Sequence, residues 1–330
     1  MENSYTFPLR PSHASLRWSI LRRSLRSRSP SKTGELSVDN PEGIKKISRR
    51  TSGGFNLIPC HALDCQSADF VGTSLQRNDI AGPRDIYVCY KLPVGCVPEL
   101  TLIQRREDSI ELNDFEVSTR FDIDTTGLVC CWPSEDVLAY FCFNHSDIFR
   151  SKRVLELGSG YGLAGFSIAV CSDACEVVIS DGNPQVVDYI QHNIGINAEA
   201  FGETKVKSML LHWNQEQASE MLNAFDIIVA SDCTFFKEFH KSLANMVKSL
   251  LKRSEDSEAF FFSPKRGDSL DKFLQEITEA GLQYNLIENY DSTVWNLHHK
   301  FLKGDDTSWP NYDKDHSYPL LLRINFPMEE

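Results

Sequence analysis

The chain has 330 residues, 41% of them hydrophobic and 24% charged, with a formal net charge of −12. Those proportions belong to an ordinary folded globular chain and exclude collagen-like, disulfide-dense and largely disordered classes. No apolar run approaches the roughly 18 residues of a membrane-spanning helix, since the richest stretch, 137–143, is far shorter.

Ten cysteines are scattered without a CxxC pair, so neither a zinc nor a haem pattern is present and no metal is expected. Reduced thiols, mostly buried, are the reading for such a chain. Residues 1–50 carry 11 Lys/Arg against 4 Asp/Glu, a balance of +7. The rest carries 23 against 42, a balance of −19.

In chain order, residues 9–32 are rich in Arg and Ser and contain no acid. Composition leaves three readings of that leader open: a transit peptide, a basic amphipathic helix built on Leu16, Ile20, Leu21 and Leu25, and a flexible basic arm. Residues 30–43 read as a polar linker punctuated by Pro and Gly. From 84 to 129 the pattern is β. Residues 86–90 and 100–103 flank a Pro/Gly turn, and 115–117 and 121–123 alternate well enough for a further strand pair. Pro133 opens a helix through 143, because Pro suits the first helical position and Glu135 and Asp136 suit the positive end of the helix dipole. Strands at 154–157, 176–180, 205–211, 225–230 and 259–263 then alternate with helices at 163–171, 185–194, 217–223, 239–252 and 269–280. Strand-like runs at 284–287 and 319–324 follow. Five strands joined by crossover helices predict an α/β fold with a doubly wound parallel sheet. The expected organisation is a basic arm over 1–50, a small, mainly antiparallel β cap over 51–131 and the α/β domain over 132–330.

The most informative stretch is Val154-Leu-Glu-Leu-Gly-Ser-Gly-Tyr-Gly-Leu-Ala-Gly165. A buried strand runs into a glycine turn, and the turn runs into a helix. Gly158 and Gly160 let the backbone approach a ligand with no Cβ in the way. A dinucleotide fingerprint sets its third glycine one residue later, because a pyrophosphate must sit on the helix N-terminus. Here Gly162 comes early and Leu163 takes that place. The spacing therefore disfavours a nicotinamide-dependent dehydrogenase. The next strand ends at Asp181, where an acid in a doubly wound fold accepts hydrogen bonds from ribose hydroxyls. Trp132 and Trp213 each read either as core aromatics or as rings against a ligand. The fourth strand of the series ends in Ser231-Asp232-Cys233-Thr234-Phe235-Phe236.

The Gly-x-Gly-x-Gly turn resembles the first motif of class I methyltransferases, whose S-adenosylmethionine needs close approach but no phosphate cradle. The end of the fourth strand lacks Asn-Pro-Pro-Tyr; an Asp followed by two residues and an aromatic resembles the protein-lysine branch instead. Thr126-Gly-Leu-Val-Cys-Cys-Trp-Pro-Ser-Glu-Asp-Val-Leu-Ala-Tyr140, Asp181-Gly-Asn183, Asp232-Cys233, Pro264-Lys-Arg-Gly267, Glu288-Asn-Tyr-Asp291 and Ser317-Tyr-Pro-Leu-Leu-Leu322 together resemble the calmodulin-lysine N-methyltransferase family. Arg17-Trp18, Ile47-Ser-Arg-Arg50 and Phe55-Asn56-Leu57 extend that likeness into the leader, so that it spans about residues 16–326.

The resemblance implies a seven-strand Rossmann-like methyltransferase sheet with a small β extension, S-adenosyl-L-methionine as cofactor, and methylation, up to trimethylation, of one lysine on calmodulin. It implies cofactor contacts at Trp132, Glu156, Gly158, Ser159, Gly160, Asp181, Trp213 and Ser231, and catalytic positions at Asp232 and Phe235. Much of the wider branch carries Tyr where this chain has Phe235, which puts a hydroxyl role there in doubt. A monomer with no nucleic-acid or membrane partner is expected. The likeness in the leader favours a retained arm on a cytoplasmic and nuclear enzyme over cleavage in an organelle. Phe235, Phe236, Tyr290 and Trp295 are candidate walls for the acceptor pocket, because aromatic faces attract alkylammonium groups. His298-His299 reads as a solvated pair. A methyltransferase for another protein lysine, or a non-catalytic module that binds S-adenosylmethionine or an acidic partner, are the competing readings.

Overall fold

The computed structural model describes residues 53–63, 85–93, 99–105, 126–129 and 131–327. The leader, the linker and the strand pair at 115–123 lie outside the described residues.

Three short strands come first: β1 (Cys60–Leu63), β2 (Asp85–Tyr90) and β3 (Leu100–Arg105). They form an antiparallel sheet in that order. β1 is the strand absent from the sequence-based expectation, because four residues are too few to show alternation. A single turn α1 (Thr126–Val129) leads to α2 (Pro133–Asn144). The strand–helix series follows as β4 (Arg153–Leu157), α3 (Leu163–Cys171), β5 (Glu176–Asp181), α4 (Pro184–Asn197), β6 (Lys205–Leu210), β7 (Ile227–Ser231), α5 (His240–Leu250), β8 (Glu258–Pro264) and α6 (Ser269–Glu279). The chain then adds β9 (Gln283–Ile287), α7 (Ser292–Lys303), α8 (Lys314–Ser317) and β10 (Pro319–Asn325).

The large sheet has seven strands in the order β6-β5-β4-β7-β8-β10-β9. β4 to β8 pair in parallel, and β10 inserts antiparallel between β8 and β9. Each central strand is apolar on both faces. On β4 and β7, Val154, Ile227 and Val229 join one core, while Leu155, Leu157, Ile228 and Ala230 join the other. That continuous apolar character is what a sheet covered by helices on both sides requires.

The expected helix at 217–223 is corrected: it is a three-residue 3₁₀ turn, Ser219–Met221, in which only Met221 is buried. One apolar residue supplies no face to pack, and Asn223 at φ +51° leaves the helical region. α7 is a full helix not expected from periodicity. Its start signal was present: the Asp291 carboxylate accepts from the N–H groups of Thr293 and Val294 at 2.8 and 2.9 Å, and Gly304 ends it at φ +74°.

The small sheet is seated on the α/β body by directed bonds as well as by the shared core. Asn193 and Asn197 of α4 accept from the N–H groups of Ile103 and Thr101 at 2.7 and 2.9 Å, and donate to the carbonyls of the same residues. The Asp136 carboxylate of α2 accepts from the N–H groups of Leu57 and Ile58 at 2.8 and 3.0 Å.

Candidate functional site

β4 and β7 are neighbours from which the chain winds outward in opposite directions, a switch point that opens a crevice at the strands' C-terminal ends. The cleft found there is open to solvent and holds about 630 Å³ of empty space, its solvent mouth included. Its walls include Trp132, Gly158, Asp181, Leu211, Trp213, Ser231, Asp232 and Cys233. Six of the ten predicted site residues therefore meet on one cleft although they are spread over about a hundred positions of sequence.

The glycine turn forms the floor. Gly158 and Gly160 have φ of +58° and +55°, which a side chain would strain. A Cβ on Gly158 would come within 2.8 Å of the Cys233 Sγ and 3.0 Å of the Trp213 ring. The backbone there is pressed between two cleft walls. Ser159 and Gly160 hold the turn from behind: Ser159 N–H donates to the Ser180 carbonyl at 3.0 Å and Gly160 N–H to Asp181 Oδ2 at 3.1 Å. The other Asp181 oxygen accepts from Asn183 N–H at 2.8 Å, and Asn183 caps α4. Asp181 thus ties the turn to the start of α4 and still stands on the cleft wall. A carboxylate has about four acceptor positions, so it retains capacity for ligand hydroxyls.

Glu156 is placed differently from the rest. It is 2% exposed and accepts from Gly165 N–H at 2.8 Å, behind the turn and against α3. Burial pushes its carboxyl well above the usual range, and the Gly165 N–H opposes that only in part. It braces strand to helix and does not line the cleft.

Two carboxylates and no Lys or Arg line the cleft. That suits a ligand with hydroxyls, and it does not suit a pyrophosphate. Trp213 and Leu211 offer apolar surface for a purine face on the same cleft. The residues present therefore fit S-adenosylmethionine.

At the β7 end, Asp232 follows Ser231 in the left-handed region at φ +56° and is 8% exposed. Phe235 lies beside Trp132, their ring centroids 5.8 Å apart, and Phe236 packs edge-on against Phe235 at 4.6 Å. Arg266, on the loop after β8, pairs with Asp232, and its guanidinium lies 4.8 Å from the Trp132 ring and 4.9 Å from that of Phe235. Sequence reasoning assigned Arg266 no role. The available signal was its place in the Pro264-Lys-Arg-Gly267 segment; its partner comes from the fold, since Ser231 registers with Phe262 across β7 and β8, which brings the two following loops together.

Tyr290 and Trp295 do not reach this wall. The Tyr290 hydroxyl donates to the Pro319 carbonyl at 2.8 Å with its ring on Phe262, and Trp295 packs against His298, His299 and Tyr318. The reading of a solvated histidine pair is also corrected for His298, which is 3% exposed, bonded through Nδ1 to the Tyr312 hydroxyl at 2.7 Å, and driven down to a pKa of about 4 by burial. Among the described residues, no group of three or more His, Cys, Asp or Glu is placed to hold a metal ion. Nor is any helix among them long and apolar enough to cross a membrane.

A family model described as lysine methyltransferase matches residues 122–280. Calmodulin-lysine N-methyltransferase of Arabidopsis thaliana is 56% identical over 317 residues, which are 96% of this chain and 98% of that protein. Protein-lysine N-methyltransferase EEF2KMT of Mus musculus is 29% identical over 175 residues, 48% of this chain and 51% of its own. Among solved structures, a ribosomal protein L11 methylase from Lactobacillus delbrueckii subsp. bulgaricus aligns with a TM-score of 0.39 and 16% identity, covering 59% of this chain and 80% of that one. The chain belongs to the calmodulin-lysine N-methyltransferase family, a group of S-adenosylmethionine-dependent lysine methyltransferases.

Proposed function

We propose that this enzyme transfers methyl groups to one lysine side chain of calmodulin, up to the trimethylated state. The observation that carries the reading is identity of 56% across 98% of a calmodulin-lysine N-methyltransferase, which takes in the flanking segments as well as the cofactor turn. The EEF2KMT relative, by contrast, matches over only 48% of this chain.

S-adenosylmethionine supplies an electrophilic methyl group on a sulfonium. Gly158 and Gly160 give it close backbone approach, Asp181 receives its ribose hydroxyls, Trp213 and Trp132 wall the cleft, and Ser231 stands at its β7 end. Asp232 takes the acceptor nitrogen by hydrogen bond. Its work is orientation, since a nitrogen held about 3–3.5 Å from the reacting carbon in line with the breaking bond meets most of the requirement for displacement. The amine must shed a proton, as a free lysine has a pKa of about 10.4. A carboxylate alone would raise that value, and the apolar faces of Trp132, Phe235 and Phe236 work against it by excluding water. Phe235 contributes its face, having no hydroxyl to offer. These faces also tolerate nitrogen that is already methylated, which successive transfers demand.

The enzyme acts as a monomer in the cytoplasm and nucleus with its basic leader retained. Calmodulin is strongly acidic, and so is the enzyme's body, which makes a basic arm a useful counterweight during encounter. The test is incubation of the full chain with labelled S-adenosylmethionine and calmodulin, followed by mass mapping. Label on a single calmodulin lysine supports the reading. Label absent from calmodulin but present on another protein of a cell extract reassigns the substrate.

A further inference from the structure

Three groups that bind cations converge next to the cofactor cleft: the Asp232 carboxylate and the faces of Trp132 and Phe235. A cation already occupies that seat. The Arg266 guanidinium carbon lies 4.8 and 4.9 Å from the two ring centres, and the side chains of Arg266 and Asp232 are only 5% and 2% exposed. Asp232 and Trp132 are at the same time walls of the cleft, so the seat adjoins it directly.

The fit of Arg266 is incomplete. Neither Asp232 oxygen nor either terminal nitrogen of Arg266 makes a hydrogen bond of acceptable geometry, although all four atoms are buried. Arginine–carboxylate pairs are frequently bidentate, with two parallel bonds, whereas here the contact is a single one between Arg266 Nη2 and Asp232 Oδ1. A lysine ammonium carries three donors on a flexible stem and can satisfy the same oxygens. Both partners sit in left-handed backbone, Asp232 at φ +56° and Arg266 at φ +45°, a strain that collects at sites of function. A Cβ on the adjoining Gly267 would meet nothing within 4 Å, so the loop that carries Arg266 has open space beside it.

We propose that Arg266 is a resident occupant of the acceptor seat, and that the substrate lysine enters by displacing it from Asp232, Trp132 and Phe235. The inference rests on the reading of Asp232 as the acceptor-side residue. It makes Arg266 a specificity device: a side chain that offers no well-placed cation leaves the seat closed, and affinity for the right one is reduced by the share of molecules in which the seat is filled.

Arg266→Lys tests this in the full chain. The lysine nitrogen falls where the guanidinium carbon stood, which puts a nucleophilic amine in the seat. The enzyme should then methylate itself at position 266: the sulfonium C–S bond breaks, the new C–N bond forms, a proton passes to water and S-adenosylhomocysteine leaves. Mass mapping should find the added methyl at 266, at a rate per molecule independent of protein concentration. Cofactor binding by the variant without any methyl at 266 overturns the proposal.

Arg266→Met, which removes the charge and ends where the arginine Nε stood, short of the seat, gives a second measure that also serves if Arg266→Lys does not bind cofactor. Displacement predicts a KM for calmodulin lowered about tenfold or more with cofactor affinity unchanged. An unchanged or raised KM with kcat lost would make Arg266 a fixed partner of Asp232 and overturn the proposal. The two readings fail separately. A wild-type enzyme that leaves calmodulin unlabelled refutes the proposed substrate, while methylation at position 266 still reports on the seat.

Discussion

Replacing Asp181 separates two jobs that one carboxylate performs. In the protein it accepts from Gly160 N–H at 3.1 Å and from Asn183 N–H at 2.8 Å while 7% exposed. Toward the cofactor, the proposed role is to offer charge-assisted acceptors to ribose hydroxyls. Asp181→Asn keeps one acceptor oxygen, so one of the two N–H groups faces an amide NH₂ instead. A buried donor left unsatisfied costs about 1–3 kcal/mol. Asp181→Ala strands both donors and doubles that cost. Either variant also loses the charged acceptor for the ribose, worth about 1.5–3 kcal/mol, or roughly 10- to 150-fold in affinity. Calorimetric titration with S-adenosylhomocysteine should therefore show a similar weakening in both variants. Thermal unfolding should rank them wild type, Asn, Ala, with a drop of roughly 2–4 °C per kcal/mol. A folded Asp181→Asn protein with unchanged affinity would refute the ribose assignment, and equal midpoints for Asn and Ala would refute the structural one.

Three further outcomes are expected. Asp232→Asn, which keeps a partner for Arg266, should lower turnover on calmodulin about a hundredfold, the cost of a misplaced reacting group; it should leave cofactor affinity unchanged, and normal turnover would reduce Asp232 to a structural role. Glu156→Gln keeps an acceptor for Gly165 N–H but does not titrate. Because the folded carboxyl is raised above its unfolded value of about 4.3, its stabilising contribution is complete below that pH and is lost as pH rises toward the folded value. The variant should gain on wild type in denaturant midpoint as pH rises above the unfolded value, and parallel curves would refute a buried neutral acid. Deleting residues 1–33 should slow methylation of calmodulin at 0.1 M salt and matter less at 1 M, where the Debye length is about 3 Å, with cofactor affinity unaltered; equal rates at every salt concentration would remove the leader from substrate encounter.

Much of this architecture is legible in the chain because the signals are local and redundant. The strand, the glycine turn, the helix and the acid at Asp181 succeed one another within a few dozen residues, and each demands the next. The parallel strands β4 to β8 stand where apolar runs indicated. What stayed hidden depends on contacts far apart in sequence or on too little burial. Residues 217–223 carry helix formers, yet Met221 alone finds a core. Glu156 occupies a motif position beside the turn, but only the packing of α3 on β4 shows that it faces Gly165 rather than the cleft. Arg266 meets Asp232 only because β8 lies next to β7, and the identity of neighbouring strands is a property of topology. His298 looks solvated beside His299 until α7 turns it into a cluster with Tyr312 and Tyr318.

The asparagines of α4 give the cap sheet an unusual neighbour. β3 pairs with β2 along one side, and along the other side a helix stands in for a strand. Four residues of helix advance about 6 Å, and two residues of strand about 6.8 Å. Asn193 and Asn197 therefore meet Ile103 and Thr101 in step, each amide accepting one N–H of β3 and donating to one carbonyl of β3. Arg105 N–H continues the row to the Tyr161 hydroxyl at 3.2 Å. No vacant row is left along these residues for a foreign strand to zip onto, the usual hazard of an exposed sheet edge. The same commensurate spacing works as a vernier. A one-residue slip of β3 would present the alternate residues, whose amides already face β2, and both asparagines would lose their partners at once.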